Sequence, residues 1–432
     1  MRGHFRYDAD RTATRIHRKE STMLRLGVIG LGRRARHMVR DMLSEEPELR
    51  LTDVADPDPQ RVRDEASKHT PICFDDATFH PDAARLLEHA DRLDGIVIGT
   101  RCRLHTEMAC KVAPTGLPLF LEKPVAIDRR QVAALAAAFE GREDRVVVSF
   151  PLRVTPLFQR VMAIVRSDRL GPVNQIQAVN NVNYGGCYFG GWYRNYDDTG
   201  GLWLQKATHD LDYLNLIAKA RPLMIAATST QGVYGGDKPH DLHCTSCDEA
   251  ATCIESHVSL DRRPNDGGMS EYENGHDHPC CFSREIRNQD AGSALLLYEG
   301  GLHISYTQNF VSRRGAGRRG AIITGHAGTV QFDWVSEVVN VIDHHREHDE
   351  SFEVKASDDH SGGDTVLIRD FISLMRGGSS TSGDLRDGLL SATMCLAARE
   401  SSHTHAFTPI VPPWTTPQAI PAPAPAPEPP MD

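Results

Sequence analysis

Gly30-Leu31-Gly32-Arg33-Arg34-Ala35 is a G-x-G-x-x-A pattern that follows an apolar stretch and opens a helical one. Such a turn binds phosphate. Gly30 permits the tight turn, Gly32 has no side chain to hold the backbone off a pyrophosphate, and Ala35 lets the helix pack close to the sheet. The helix start then presents N–H groups and the positive end of its dipole to the phosphates. Asp56 stands at the end of the next strand, 26 residues after Gly30. A carboxylate there accepts from both ribose hydroxyls and repels a 2′-phosphate, which predicts NAD. Arg33 and Arg34 leave NADP open.

Four other groups could carry chemistry. Glu122-Lys123-Pro124 ends a strand, which is where open α/β sheets bind their ligands. Gln205 and His209 are four apart and share a face if the segment is an α-helix. Histidine titrates near neutrality and suits a general base. Gln205 can orient a hydroxyl but cannot take its proton, and Lys206 adds a cation beside it. Tyr184, Trp192, Tyr193 and Arg194 lie in and around a glycine-rich loop. Aromatic rings beside donors suit sugar faces and hydroxyls, although a packed loop would use the same residues. The fourth group is a run of thiols. His243, Cys244, Cys247 and Cys253 are followed by His257, His276, His278, Cys280 and Cys281. Three cysteines with one distant Cys or His fit tetrahedral zinc. An iron–sulfur cluster and free thiols stay open as alternatives. Arg313, Arg314, Arg318 and Arg319 flank a glycine turn and read as a solvated basic hairpin.

Elements must place these residues. Between 24 and 148 short apolar runs alternate with helical ones: LRLGVIG, RRARHMVRDML, LTDVAD, DGIVIG, LPLFLEKP, RQVAALAAAFEG, RVVVSF. That order predicts a parallel, doubly wound sheet. From 149 to 408 the runs lengthen. VNQIQAVNNVNY, PLMIAATSTQ, SALLLYEG, LHISYTQNF and GAIITG predict a larger, mostly antiparallel sheet. Helical stretches are expected near 155–168, 203–218 and 384–402. The fold class is an α/β Rossmann domain plus an α+β domain with a large open sheet and a cysteine-rich insertion at 235–290. Residues 1–23 and 409–432 read as disordered arms, the second holding ten of the 25 prolines.

The composition is that of a globular protein, 40% hydrophobic and 25% charged. No run of 18 apolar residues exists, which argues against a membrane helix. A net charge of −10 argues against nucleic acid. The polar, arginine-rich start lacks the apolar core of a secretory signal, so a cytoplasmic location is expected.

GVIGLGRRA, VADPDP, His105 before its helix, Glu122-Lys123-Pro124, FPLRVTPLFQRV, GGLWLQKATHDLDYL and LRDGLLSATMCLAARESSHT together resemble the Gfo/Idh/MocA family over about 24–408. The resemblance implies a substrate held between the two domains against the nicotinamide. It places His105 and Glu122 with Lys123 at the cofactor. It gives Lys123 contact with substrate and nicotinamide ribose, where a cation eases the loss of a hydroxyl proton as hydride leaves. It makes His209 the proton acceptor, with Gln205 where the family carries an aspartate. It carries Arg153 and Asp210 to the substrate site and leaves Asp212 to hold the helix or His209. It adds Cys280 as fourth ligand of a structural zinc in a cysteine-bearing subset. A homodimer or homotetramer through the open sheet is expected.

The reading is an NAD(P)-dependent oxidoreductase acting on a CH–OH group of a sugar, cyclitol or related polyol. Within it, His209 is the sole base, or a Lys206 of depressed pKa assists, or the reaction differs. Two alternatives stay beside it. One is a redox-neutral glycoside hydrolase or lyase that uses retained NAD. The other is a non-catalytic dinucleotide sensor.

Overall fold

The computed structural model describes residues 23–256, 278–355 and 362–415. The apolar runs of the first third form β1 (Leu24–Ile29), β2 (Leu49–Ala55), β4 (Gly95–Ile98), β5 (Leu119–Leu121) and β6 (Val146–Val148), and the short Thr-Phe-His segment adds β3 (Thr78–His80) at the edge. Between them run α1 (Arg33–Glu45), α2 (Pro59–His69), α3 (Ala83–Leu87), α4 (Cys102–Val112) and α5 (Arg129–Ala138). The strands pair in parallel in the order β3-β2-β1-β4-β5-β6. Strands such as GIVI and VVV are buried at every residue because helices cover both faces. The order reverses between β1 and β4, and a crevice opens there at the carboxyl ends of the strands.

The chain leaves this sheet through α6 (Pro156–Arg166), whose first turn is capped by the Thr155 hydroxyl. The second sheet comprises β7 (Val173–Asn181), β8 (Pro222–Thr230), β9 (Ala291–Tyr298), β10 (His303–Asn309), β11 (Arg318–Gly325), β12 (Gly328–Asp333), β13 (Val338–Asp343), β14 (Asp349–Glu353) and β15 (Thr408–Pro409). Its order is β14-β13-β12-β11-β7-β10-β9-β8-β15, and every pair is antiparallel except β7 with β10. Strand β9 alternates buried and exposed residues, so one face packs and the other is open. Short helices α7 (Cys187–Gly190) and α8 (Tyr196–Thr199) precede α9 (Thr208–Ala218). Helices α10 (Gly363–Met375) and α11 (Leu385–Thr404) close the chain.

Two boundaries differ from the expectation. Helix α10, far along the chain, packs on the first sheet: Leu367, Phe371 and Met375 share a core with Leu26, Val97 and Phe120. The chain also stays packed past 408. Pro409 pairs with Met224, and Ile410 is buried. Residues 1–22 and 416–432 lie outside the described residues. Among the described residues no helix is long and apolar enough to cross a membrane.

Candidate active site

The glycine turn sits at the switch point. Gly30 has φ +77°, and a Cβ there would meet the Thr100 backbone at 2.8 Å. A Cβ on Gly99, at the end of β4, would lie 2.3 Å from that of Ala35, which is the close helix–sheet approach the motif implied. Helix α1 starts at Gly32 with no side chain capping it, so its first turn suits an anion. This cradle fits a pyrophosphate. Asp56 accepts from Leu31 N–H at 3.2 Å and from Asp58 N–H at 3.0 Å, which ties the turn to the end of β2. Arg61 stands 3.2 Å from its carboxylate, a neighbour the motif did not reveal. Arg33 is exposed. Arg34 is committed elsewhere. It forks onto Asp364 of α10 at 2.6 and 2.7 Å and reaches Glu122 at 3.3 Å. Arg34 is therefore not disposed to meet a 2′-phosphate. Glu122 is buried against it and ties β5 to α1 and α10.

Lys123 follows Glu122 at the carboxyl end of β5. Its Nζ donates to the main-chain oxygen of Gln205 at 2.8 Å, across the gap between the domains. Burial pushes its pKa down to about 8; Lys206 and Arg319 push the same way, while Cys102 and Glu122 oppose. His105 does not reach into the crevice. It is buried, with Nδ1 2.8 Å from the Pro124 oxygen and Nε2 3.0 Å from the Thr100 oxygen. Burial lowers its pKa, so the ring is neutral and donates to one carbonyl at a time. Its role is to pin the turn that carries Lys123. The Thr106 hydroxyl adds a bond to Val125 O at 2.9 Å.

The helix expected at 203–218 begins with a π turn, Trp203–Ala207. Its i→i+5 bonds insert a residue, so the four-residue spacing of Gln205 and His209 does not act as it would in an α-helix. The Gln205 amide turns to the first domain and donates to Cys102 Sγ at 2.7 Å. Gln205 thus positions Lys123 through its carbonyl and spends its amide on a thiol. Lys206 is buried; its Nζ is hydrogen-bonded to the Tyr184 hydroxyl and lies 4.5 Å from that ring's centre. Burial, with Arg319 nearby, pushes its pKa down to about 7. His209 is half-buried, its ring edge-on to Phe150 at 5.8 Å. Trp192 and Tyr193 stack at 4.0 Å, and the Arg101 guanidinium covers Trp192 at 3.9 Å. This stack joins the start of α4 to the second domain. Arg194 is buried and donates to the Cys280 and His240 carbonyls, so it holds the loop.

Two residues placed at the substrate are structural instead. Arg153 is buried with its donors spent on Asp212 (2.9 and 2.7 Å), Asp387 (2.7 Å) and the Ser382 oxygen (2.9 Å). Asp212 is its ion partner, a scaffold acid. Asp210 is fully buried and accepts from Asn180 at 2.6 Å, Tyr306 at 2.8 Å and Arg319 at 2.8 Å. Its carboxylate is taken up by these three donors. Arg319, read as part of a solvated hairpin, is instead turned inward and paired with Asp210. Its alternation with buried Ala321 and Ile323 along β11 was the signal that could have placed it. Arg313 is likewise paired, with Glu255 at 2.9 Å.

Cys244, Cys247, Cys253 and Cys280 line one small cavity with Cys281 and Glu255. They do not form a ligand set. Among the described residues no group of three or more His, Cys, Asp or Glu side chains is disposed to hold a metal ion. The expected structural zinc therefore finds no support among the described residues. His257 and His276 lie outside the described residues.

Comparison with known proteins gives consistent results. Residues 24–150 match the family model described as "Oxidoreductase family, NAD-binding Rossmann fold", and residues 158–331 match that of the "GFO/IDH/MocA C-terminal domain". A Bacillus subtilis protein named as an oxidoreductase, YteT, is 24% identical over 299 residues, 64% of this chain and 70% of the relative. An inositol 2-dehydrogenase of Rhizobium meliloti is 24% identical over 149 residues, 33% of this chain and 42% of the relative. The alignment thus spans less than half of that second relative. A solved levoglucosan dehydrogenase, in complex with NADH and levoglucosan, superposes with a TM-score of 0.68 at 14% identity, covering 90% of this chain and 99% of that one. A myo-inositol 2-dehydrogenase from Lactobacillus plantarum does so with 0.64 at 15% identity, covering 90% and 100%. At these identities the superpositions show the fold alone.

Proposed function

The chain belongs to the Gfo/Idh/MocA oxidoreductase family, and on that premise we propose that it oxidises or forms a CH–OH group of a sugar, cyclitol or related polyol. NAD is the proposed cofactor: the uncapped start of α1 and the Asp56 carboxylate fit its pyrophosphate and ribose. Bound NAD supplies the hydride acceptor. The observation that carries the reading is Lys123. It is an ammonium held at the mouth of the first sheet by the carbonyl of Gln205 from the second domain. A substrate lying between the domains would meet it there. Its positive charge stabilises the alkoxide character that a hydroxyl acquires as its hydride departs. His209 takes the hydroxyl proton. Gln205 takes none, because it is an amide bound to Cys102. The open face of the second sheet, with Leu295 and Leu297 exposed, is the proposed contact in a homodimer or homotetramer.

One observation favours the redox-neutral reading: no carboxylate stands at 205 to share proton transfer with His209. Stoichiometry separates the two. Sugar consumption and NADH formation are followed together by chromatography and absorbance. One NADH per sugar oxidised is expected. Turnover of a glycoside with no net NADH would favour the second reading.

A further inference from the structure

This inference rests on the oxidoreductase reading and narrows its substrate. On the packed face of the second sheet, Arg319 of β11 and Asn180 of β7 are register partners. Both bind Asp210, and the Tyr306 hydroxyl adds a third bond. The Asp210 carboxylate is thereby committed. One donor of the group is left over: Nη2 of Arg319 is buried and has no acceptor among the described residues. Lys206 belongs to the same cluster, its ammonium on the hydroxyl and ring of Tyr184, and its charge acts on those of Arg319 and Lys123.

The anions of the cluster do not balance these cations. Asp210 is bound by Arg319, and Glu122 by Arg34. Lys123 and Lys206 are hydrogen-bonded to a carbonyl and a phenol, neutral partners both. Burying a cation is costly unless an opposite charge meets it. Three that act on one another, with the nearby carboxylates engaged, leave room for a negative charge from outside, which would also hold the two lysines in their charged forms. The phosphates of the cofactor do not supply it. Their place is the start of α1 on the first sheet, whereas Lys206 and Arg319 belong to the second domain.

We propose that the substrate is a sugar acid whose carboxylate is taken between Lys206 Nζ and Arg319 Nη2 while its reacting hydroxyl faces Lys123. A carboxylate has one oxygen for each donor, and such charge-assisted bonds are the strong ones.

The test is calorimetric binding to the full chain loaded with NADH. The probes are D-glucuronate and D-galacturonate, their neutral parents D-glucose and D-galactose, and D-glucose 6-phosphate. At least one uronate is expected to bind about tenfold or more tighter than its parent. Lys206→Met and Lys206→Gln should each weaken that uronate by about tenfold or more and leave NADH affinity within about twofold. Melting curves confirm that the variants are folded. The proposal is overturned if neither uronate binds in the millimolar range, or if each neutral parent binds as tightly as its uronate. It is also overturned if folded Lys206 variants keep full uronate affinity, or if the sugar phosphate outbinds both uronates. Since the readout is binding, a protein that takes uronates but forms no NADH retains this inference and loses the dehydrogenase reading.

Discussion

Lys123 shows what burial does to a catalytic cation. Its surroundings contain Cys102, Lys206, Glu122 and Arg319, and the balance leaves its pKa at about 8, down from 10.5. The ammonium is the form that stabilises negative charge on the substrate oxygen. Its share of the rate is present below about 8 and lost as pH rises through that value. The expected pH profile of kcat/KM for polyol oxidation therefore falls on the alkaline side near 8. In Lys123→Arg a guanidinium, which does not titrate there, should lower the plateau and abolish that limb. A limb that persists unchanged in Lys123→Arg would assign it to another group. Gln205 illustrates a different point. Its residue type was informative, since it ruled out proton transfer, but its orientation toward Cys102 depends on the first domain and no spacing in its own segment encodes it.

Among the elements, those with strong periodicity were legible. The β1–turn–α1 unit, five of the six parallel strands and the nine-residue strand β7 follow from apolar runs and the glycine pattern, whereas the three-residue edge strand β3, Thr-Phe-His, carries no such run. Strands β12 to β14 were not. They are five or six residues long, GTVQFD, VVNVID and DESFE, too short or too polar to stand out, and the last two are joined by the histidine-rich turn HHREH. The π turn at Trp203–Ala207 was hidden as well, because one inserted residue leaves the helical pattern of its segment intact. Arg153 was read as a substrate residue because it sits at the start of the second domain. In the fold it clamps α9 to α11: Asp212 lies on the first and Asp387 on the second. Arg153→Met should cost about 3–5 kcal/mol, because it leaves Asp212 buried without its partner. A clearly lower melting temperature with unchanged NADH affinity is expected. Full stability with lost substrate affinity would restore the ligand role.

For the whole molecule, the two domains supply different halves of the proposed site. The first carries the glycine turn, Asp56 and Lys123; the second carries Lys206, His209 and Arg319. The two are joined by one continuous apolar core and by polar contacts that include Lys123 to Gln205, Gln205 to Cys102, Arg101 over Trp192, and Arg103 to Asp198 at 2.6 Å. Helix α10 crosses back to the first sheet and delivers Asp364 to Arg34. A boundary drawn along the sequence misses this return, since contact between segments so distant has no local signature. The central claim is that hydride passes between nicotinamide and a carbon held beside Lys123 and His209. The most direct measurement is absorbance at 340 nm with added NAD and a panel of polyols, neutral sugars and sugar acids. A rise with one class of substrate is predicted, falling by about a hundredfold or more in Lys123→Ala and in His209→Ala while both variants still bind NADH. A rise that survives both substitutions, or none with any substrate in a protein that binds NADH, would contradict it.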